Sequence, residues 1–419
     1  MQVPANGGTP AVVREGKNPL TWAHFLPDGR HFLYNLYDLQ TLTRQLFVGS
    51  LDSNEDVLIP GVTGRAEFVD GNLLFWRDGG LLAQPFDLKS YQLSGQPISV
   101  ADDVHAFEAT GFAAFSATGK LLVYQAGPIE ERLTWLDRKG VEQGTVGPLK
   151  DYVDLRLSPD GRLLAMSARD RRLGTSDIFV NELDRDLTRP LTSDRGTENG
   201  PIWSPDNKAV VFAADRHGPP NLHLRAADGS PGEREVVPPA SGPLAGGSIT
   251  RDGRSVVFLQ PNPGTNYDIM VAPLDKSAPP VAVVATKGRE SAPRLSPDGR
   301  WLAYGSNESG RAEVYVQSFP DGHGRRQISR DGGGAARWRG DSKELYFVTG
   351  PDHLMAVSIV ANGNTIETST PQLVFVAQGD LSGYDVTKDG QRFLVVSPDR
   401  VAERGTLSVI TNWTGLLRK

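Results

Sequence analysis

Short apolar runs recur along the chain at nearly even spacing, at 31–34, 121–124, 210–212, 256–259, 301–304, 345–348 and 393–396. Each is rich in β-branched, aromatic or leucine residues and none is long enough for a helix, so they predict strands. A polar phrase precedes each run. Ser158-Pro159-Asp160-Gly161-Arg162 returns as Ser296-Pro297-Asp298-Gly299-Arg300, with relaxed copies at 26–30, 204–208 and 251–254 and fainter ones at 70–72, 118–120, 340–343 and 388–391. Proline fixes φ, aspartate bonds its own backbone and glycine takes φ > 0, so the phrase predicts a hairpin turn between two strands. Three residues before the central position stands an apolar side chain: Phe25, Phe115, Leu157, Trp203, Ile249, Leu295, Trp338 and Val386.

Nine such marks, about 45 residues apart, divide the chain into units. Two more short strands follow in each unit, as at 177–181 and 189–192 or 313–317 and 326–329. Four antiparallel strands per unit with no helical period predict an all-β chain folded as one closed β-propeller of four-stranded blades over residues 1–419. Nine blades are expected, with eight (one unit degenerate) or two smaller propellers as the alternatives. The ring is expected to close through a blade sewn from both termini, with 392–396 and 407–410 as its second and third strands and 11–14 as its fourth.

Composition narrows the function. The chain has 46 Gly and 30 Pro, a turn-rich globular content, and no Cys, which excludes thiolate metal sites, a Cys nucleophile and disulfides. A net charge of −6 with no long Lys/Arg cluster argues against nucleic acid or anionic membrane as the main partner. No apolar run reaches the roughly 20 residues a bilayer span needs, and residues 1–8 do not form a secretory signal.

The segments 201–208 and 293–304 resemble the repeat of TolB-type β-propellers, a strand ending in Trp-Ser-Pro-Asp-Gly-Lys followed by an Ile-Ala-Phe-like strand. The stretches 25–34, 133–138, 306–310, 313–317 and 412–417 are similar to the C-terminal propeller region of bacterial receptor-type Ser/Thr protein kinases, notably from acidobacteria. That resemblance implies an extracytoplasmic sensor or interaction domain. The Gly-rich nucleotide loop, the His-Arg-Asp loop and the Asp-Phe-Gly triplet of a kinase do not occur in these 419 residues.

Catalytic motifs are equally absent: neither Gly-x-Ser-x-Gly, His-Glu-x-x-His nor a P-loop occurs, so no catalytic or metal-ligating residues and no cofactor are expected. Asp52, Asn54 and Asp56 have calcium-loop spacing, but Val57 and Thr63 stand where Gly and Glu are required, so they predict a turn. The loops entering the innermost strands carry Asp151, Glu198, Asn199, Glu290 and Ser291. Small neighbours keep that rim open, and its acids predict a negative entrance that attracts a cation or basic peptide. His24, alone among the seven histidines in a first strand, is a candidate to face the channel, whereas His217, His223, His323 and His353 read as surface residues. Gly332-Gly333-Gly334 predicts close backbone approach, since no helix follows to favour a phosphate. Trp22, Trp203, Trp301 and Trp338 are expected to fill the wedges between blades.

The leading expectation is a monomeric, non-enzymatic binding or sensor module that takes a protein, peptide or small ligand at the channel rim. The alternatives are an envelope scaffold like TolB, or a metal-dependent TolB-like lyase acting in the channel.

Overall fold

The structure is a computed structural model and describes residues 12–13, 20–38, 43–77, 79–102, 104–107, 111–126, 131–170, 175–194, 196–216, 218–238, 240, 242–378, 381, 383–398 and 406–418. Among these the chain is all-β, with one 3₁₀ segment at Trp413–Arg418.

The repeated phrase builds the same turn each time. Ser158 Oγ donates to Asp160 Oδ1 (2.6 Å) and accepts from the Leu163 amide (2.9 Å), while Asp160 Oδ1 also accepts from the Arg162 amide (3.1 Å). Gly161, at φ 74°, donates its amide to the Ser158 carbonyl (2.8 Å). Residues 204–209 and 296–301 repeat this box, and Thr250 and Thr387 take the serine's place in two further copies. One aspartate and one hydroxyl thus satisfy the turn's free amides and pin the register of the hairpin.

Contacts divide the chain into two compact units, one of residues 1–129, 171–173 and 401–419, the other of residues 130–170 and 174–400. In the first, Leu20–Phe25, His31–Asp38, Thr43–Ser50 and Val57–Ile59 form a four-stranded antiparallel sheet. A second sheet is built on Ala66–Val69, Asn72–Arg77 and Gly80–Asp87, and a third joins Phe115–Ala117, Leu121–Ala126 and Thr406–Thr411. Trp413 is fully buried there among Leu74, Leu81, Phe115 and Leu122, its Nε1 donating to the Thr118 carbonyl (2.6 Å).

The second unit holds four sheets of four or five strands and one of seven, and the strands at 151–157, Glu198–Trp203, Ala245–Ile249, Glu290–Leu295, Gly334–Trp338 and Tyr384–Val386 lie innermost, the first and last of them in the seven-stranded sheet. Each inner strand touches the next in this order, and Tyr384–Val386 touches the strand containing 151–157 again, so the contacts form a cycle. Period-two alternation explains the packing. In Ala209–Ala214, Val210 and Phe212 pack against the preceding sheet (Ala165, Ile178, Val180), whereas Val211 and Ala213 pack against the following one (Val256, Phe258). Trp301 and Leu302, Leu345 and Tyr346, and Phe393 and Leu394 divide in the same manner, giving one apolar wedge between each pair of neighbours.

The seven-stranded sheet joins the two ends of this unit: Arg392–Pro398 pairs antiparallel with Glu131–Asp137, with Leu394 opposite Trp135. The sixteen-residue strand Glu142–Leu157 pairs with Glu131–Asp137 along its first part and supplies the innermost strand at 151–157 with its last. The closing blade expected from the termini is therefore corrected. Residues 392–398 pair with 131–137 and not with 406–411, which pair with Leu121–Ala126 instead, and the expected fourth strand at 11–14 falls largely outside the described residues.

Trp203, Trp301 and Trp338 are buried in the wedges as expected. Trp203 Nε1 donates to the Arg156 carbonyl (2.9 Å) and Trp338 Nε1 to the Arg294 carbonyl (3.1 Å), each stapling its inner strand to the preceding one. Trp22, half-buried at φ 58°, instead sits at the irregularity in Leu20–Phe25.

Candidate functional site

Five of the six inner strands of the second unit break register once, at 152/154, 199/202, 246/248, 291/294 and 334/337, whereas Tyr384–Val386 pairs in regular register. A bulge re-aims the side chain that follows it. Ala292 (φ 45°) and Ala335 (φ 51°) hold the left-handed region in two of these bulges, a cost of about 1–3 kcal/mol each that concentrates at ligand sites. Just beyond the bulges, at one equivalent position, stand Arg156, Ile202, Ser248, Arg294 and Arg337, with Asp385 as the sixth member in Tyr384–Val386. All six line a cavity of about 710 Å³ whose walls also include the Ser-Pro turns at 158–159 and 296–297.

The inner strands are tied together around this cavity. Asp385 Oδ2 accepts from the Leu157 amide (2.8 Å), Ser248 Oγ from the Leu295 amide (3.0 Å) and the Gly247 carbonyl from Arg294 Nη1 (2.7 Å). Gly247 permits that approach, because a Cβ there would meet Pro293 Cγ at 2.6 Å and the Val257 carbonyl at 2.9 Å. Arg337 donates to the Tyr384 and Ala336 carbonyls and lies 3.7 Å from Asp385; Arg156 pairs with Asp154 at 2.7 Å. Burial, and then the charge of Arg156, hold the Arg337 guanidinium below the usual arginine range. Farther out the lining adds Arg251, Lys388 and Arg392, so six cations and the single carboxylate of Asp385 face the cavity of a chain whose net charge is −6. A concave, low-dielectric wall of one sign focuses potential and attracts anions.

The residues expected from the sequence at the rim, Asp151, Glu198, Asn199, Glu290 and Ser291, stand at the opposite ends of their inner strands. Glu198 is fully buried, its Oε1 accepting from Arg216 Nε (2.9 Å). Burial outweighs that guanidinium and pushes the carboxyl above the usual range. Asn199 accepts from Ser176 Oγ (2.8 Å), and Asp151 faces Arg169 at 3.7 Å. Glu290 is 1% exposed and accepts from Thr286 and Ser306 hydroxyls; Ser291 is exposed and leans over Gly305. His24 belongs to the other unit, half-buried in Leu20–Phe25. The acids thus brace the sheets from within, so the expectation of a negative entrance built on Glu198 and Glu290 is corrected. His223 is likewise not a surface residue: it is buried with Nδ1 3.0 Å from Glu233, while His217 lies outside the described residues. Gly333 approaches Ser329 closely and Gly332 donates to Glu313, as backbone contacts. Among the described residues no three His, Asp or Glu side chains converge to hold a metal ion.

Burial raises the Glu290 carboxyl above its ordinary pKa, so the fold favours its neutral form. Stability from this group is complete below the ordinary glutamate pKa and is lost as pH rises through the raised value. Glu290→Gln keeps an oxygen for Thr286 and Ser306. It is expected to melt higher than the parent near pH 8, with the difference vanishing near pH 4, in paired thermal melts.

The cavity's arginines carried a sequence signal: three of six residues immediately before the apolar mark position are Arg156, Arg294 and Arg337. That position is visible only once the repeats are aligned on the inner strand, and nothing in one repeat alone says that it faces the axis.

Residues 153–281 match the family model described as a TolB beta propeller domain. A solved TolB structure from Agrobacterium tumefaciens is similar at 18% identity and TM-score 0.51, over 65% of this chain and 99% of that one, a likeness of fold. Among curated proteins, the uncharacterized peptidase YuxL of Bacillus subtilis (strain 168) is 26% identical over 158 residues, 38% of this chain and 22% of its own length. The Tol-Pal system protein TolB of Francisella tularensis subsp. tularensis (strain WY96-3418) is 24% identical over 148 residues, 35% of this chain and 34% of its own. The chain spans about a third or less of these curated relatives' lengths.

Proposed function

With a TolB-like β-propeller domain as the premise, we propose that the second unit is a closed six-bladed ring serving as a non-catalytic binding module, and that its channel takes an anionic ligand or an acidic segment of a partner. The observation that carries this is the cavity's charge, three arginines at one repeat position with three further cations outside them, against one carboxylate. Cations gathered by a fold around a desolvated hollow cost stability through mutual repulsion, and an anion relieves it. The cycle of inner-strand contacts and the sheet sewn from 131–147 and 384–398 support the six-bladed count. The segments similar to receptor-kinase propellers support placing the module outside the cytoplasm as the sensor of a Ser/Thr kinase. Among the described residues no helix is long and apolar enough to cross a membrane.

The test is a thermal-shift panel on the whole chain with citrate, a poly-glutamate peptide, a poly-lysine peptide, manganese and a chelator. Ligand at about 100 times its dissociation constant adds roughly 2.7 kcal/mol, which an anion should supply at low salt and lose as salt rises. Stabilisation by poly-lysine or by manganese, with none by either anion, would overturn the proposal.

A further inference from the structure

The charges around the floor of the cavity say more about the ligand, granted the reading above that the channel takes an anion. They are not spread evenly. In cyclic order Arg294, Arg337, Asp385 and Arg156 occupy one continuous arc, and Ile202 and Ser248 the other. Arg156 is paired with Asp154, and Arg337 faces Asp385. Asp385 is itself fixed by the Leu157 amide (2.8 Å) and its neighbour Val386 (2.9 Å). Among the described residues Arg294 has no such counter-ion, and its Nη1 donates to the Gly247 and Pro293 carbonyls. Its Nε, like that of Arg156, is buried without an acceptor. A buried donor without a partner is destabilising, so an incoming acceptor is favoured there.

We propose that the ligand is a monocarboxylate carried on an apolar body, with the carboxylate anchored by Arg294 on the charged arc and the body laid against Ile202, Trp203 and Ile249. Three guanidinium groups against Asp154 and Asp385 leave one uncompensated positive charge on the floor. One carboxylate cancels it. A phosphate, carrying about −1.5 to −2 at neutral pH, brings more charge than the floor leaves uncompensated, and the excess must be met by the outer cations. Planar guanidinium meets the two oxygens of a carboxylate in paired hydrogen bonds, a geometry that a spherical anion does not use. Across the cavity Ile202 takes the repeat position that Arg156, Arg294 and Arg337 hold on the charged arc, and with Trp203 and Ile249 beside it this wall suits a hydrocarbon or aromatic body. Arg251 and Lys388 lie at turns and Arg392 at the start of the strand beside Tyr384–Val386, where they raise the encounter rate of any anion and add little selectivity. The same chemistry is presented by a free small acid and by the C-terminus of a peptide ending in an apolar residue.

Calorimetric titration of the whole chain with N-acetylphenylalanine, its amide, inorganic phosphate and citrate tests this, together with a pentapeptide ending in phenylalanine in free-acid and amidated forms. At least one free monocarboxylate should bind, its amide at least tenfold more weakly. Binding of N-acetylphenylalanine assigns the source to small acids, and binding of the peptide acid alone assigns it to chain ends; either upholds the proposal. Arg294→Gln should lower the affinity at least tenfold and abolish the preference for acid over amide, a readout that a merely structural loss does not move, and Arg294→Lys should restore part of both. Ile202→Asp should lower the affinity as well. Equal binding of acid and amide would overturn the proposal. So would tighter binding of phosphate or citrate than of every monocarboxylate, an outcome that leaves the anion-binding reading standing. Failure of every anion, citrate and phosphate included, would remove both.

Discussion

Arg216→Ala is expected to lower the unfolding free energy by about 3–5 kcal/mol, among the largest effects of any single replacement. Arg216 reaches three carboxylates at once: Nε to Glu198 (2.9 Å), Nη1 to Glu233 (2.6 Å) and Nη2 to Asp194 (2.9 Å). Glu198 is fully buried, and Glu233 is further bound to His223 and faces Arg225 at 3.7 Å. Removing the guanidinium strands buried negative charge among its own kind, and truncation of one partner costs far more than the intact cluster contributes. Arg216→Lys keeps the charge and loses the planar fork, so it should fall between the two. The difference between parent and Ala variant should narrow as pH falls through the carboxylate range, because protonation of Glu198 and Glu233 removes the stranded charge. Urea titrations at several pH values measure all three. An Ala variant within 1 kcal/mol of the parent at neutral pH would show that solvent, and not the guanidinium, satisfies these acids.

Phe393→Ala should cost about 3–5 kcal/mol by a different mechanism, a cavity at the seam of the second unit. Phe393 has no exposed surface and stands edge-on to Tyr346 (5.1 Å) and Phe375 (5.4 Å). Beside it Arg138, from the other end of the seam, binds Glu344 through both Nη atoms and donates to Tyr346 and to the Gly390 carbonyl. Loss of the ring therefore loosens the place where 384–398 is held against 131–147. Leu407→Ser is the control: that side chain is 69% exposed in Thr406–Thr411, and its replacement should change stability by no more than about 0.5 kcal/mol. Had the two strands shared one closing blade, both positions would matter alike.

The strands and turns were legible because their causes are local. Ser158, Asp160 and Gly161 satisfy one another within six residues, and Val210, Val211 and Phe212 announce their two faces by alternation alone. What spacing does not encode is the identity of a partner strand. Phe393 and Leu394 carry an apolar pattern that fits any neighbouring strand, and the choice of Glu131–Asp137 over Thr406–Thr411 depends on contacts more than 200 residues away in sequence. The site was misread for a related reason. Glu198 and Glu290 look like solvated loop acids until Arg216, Thr286 and Ser306 are seen to enclose them. Arg156, Arg294 and Arg337 look like ordinary charged strand residues until the bulges turn them inward.

The seam has a consequence for synthesis. A ribosome delivers Glu131–Asp137 early and its partner Arg392–Pro398 some 260 residues later. At ordinary elongation rates the nascent chain spends on the order of tens of seconds with that strand's inner edge unpaired. Leu133, Trp135 and Leu136 ride on it. Through that interval the exposed strand edge is an open template for pairing with a sister chain on the same message. Residues 131–137 are therefore the stretch whose shielding during translation protects the nascent chain from edge-to-edge pairing.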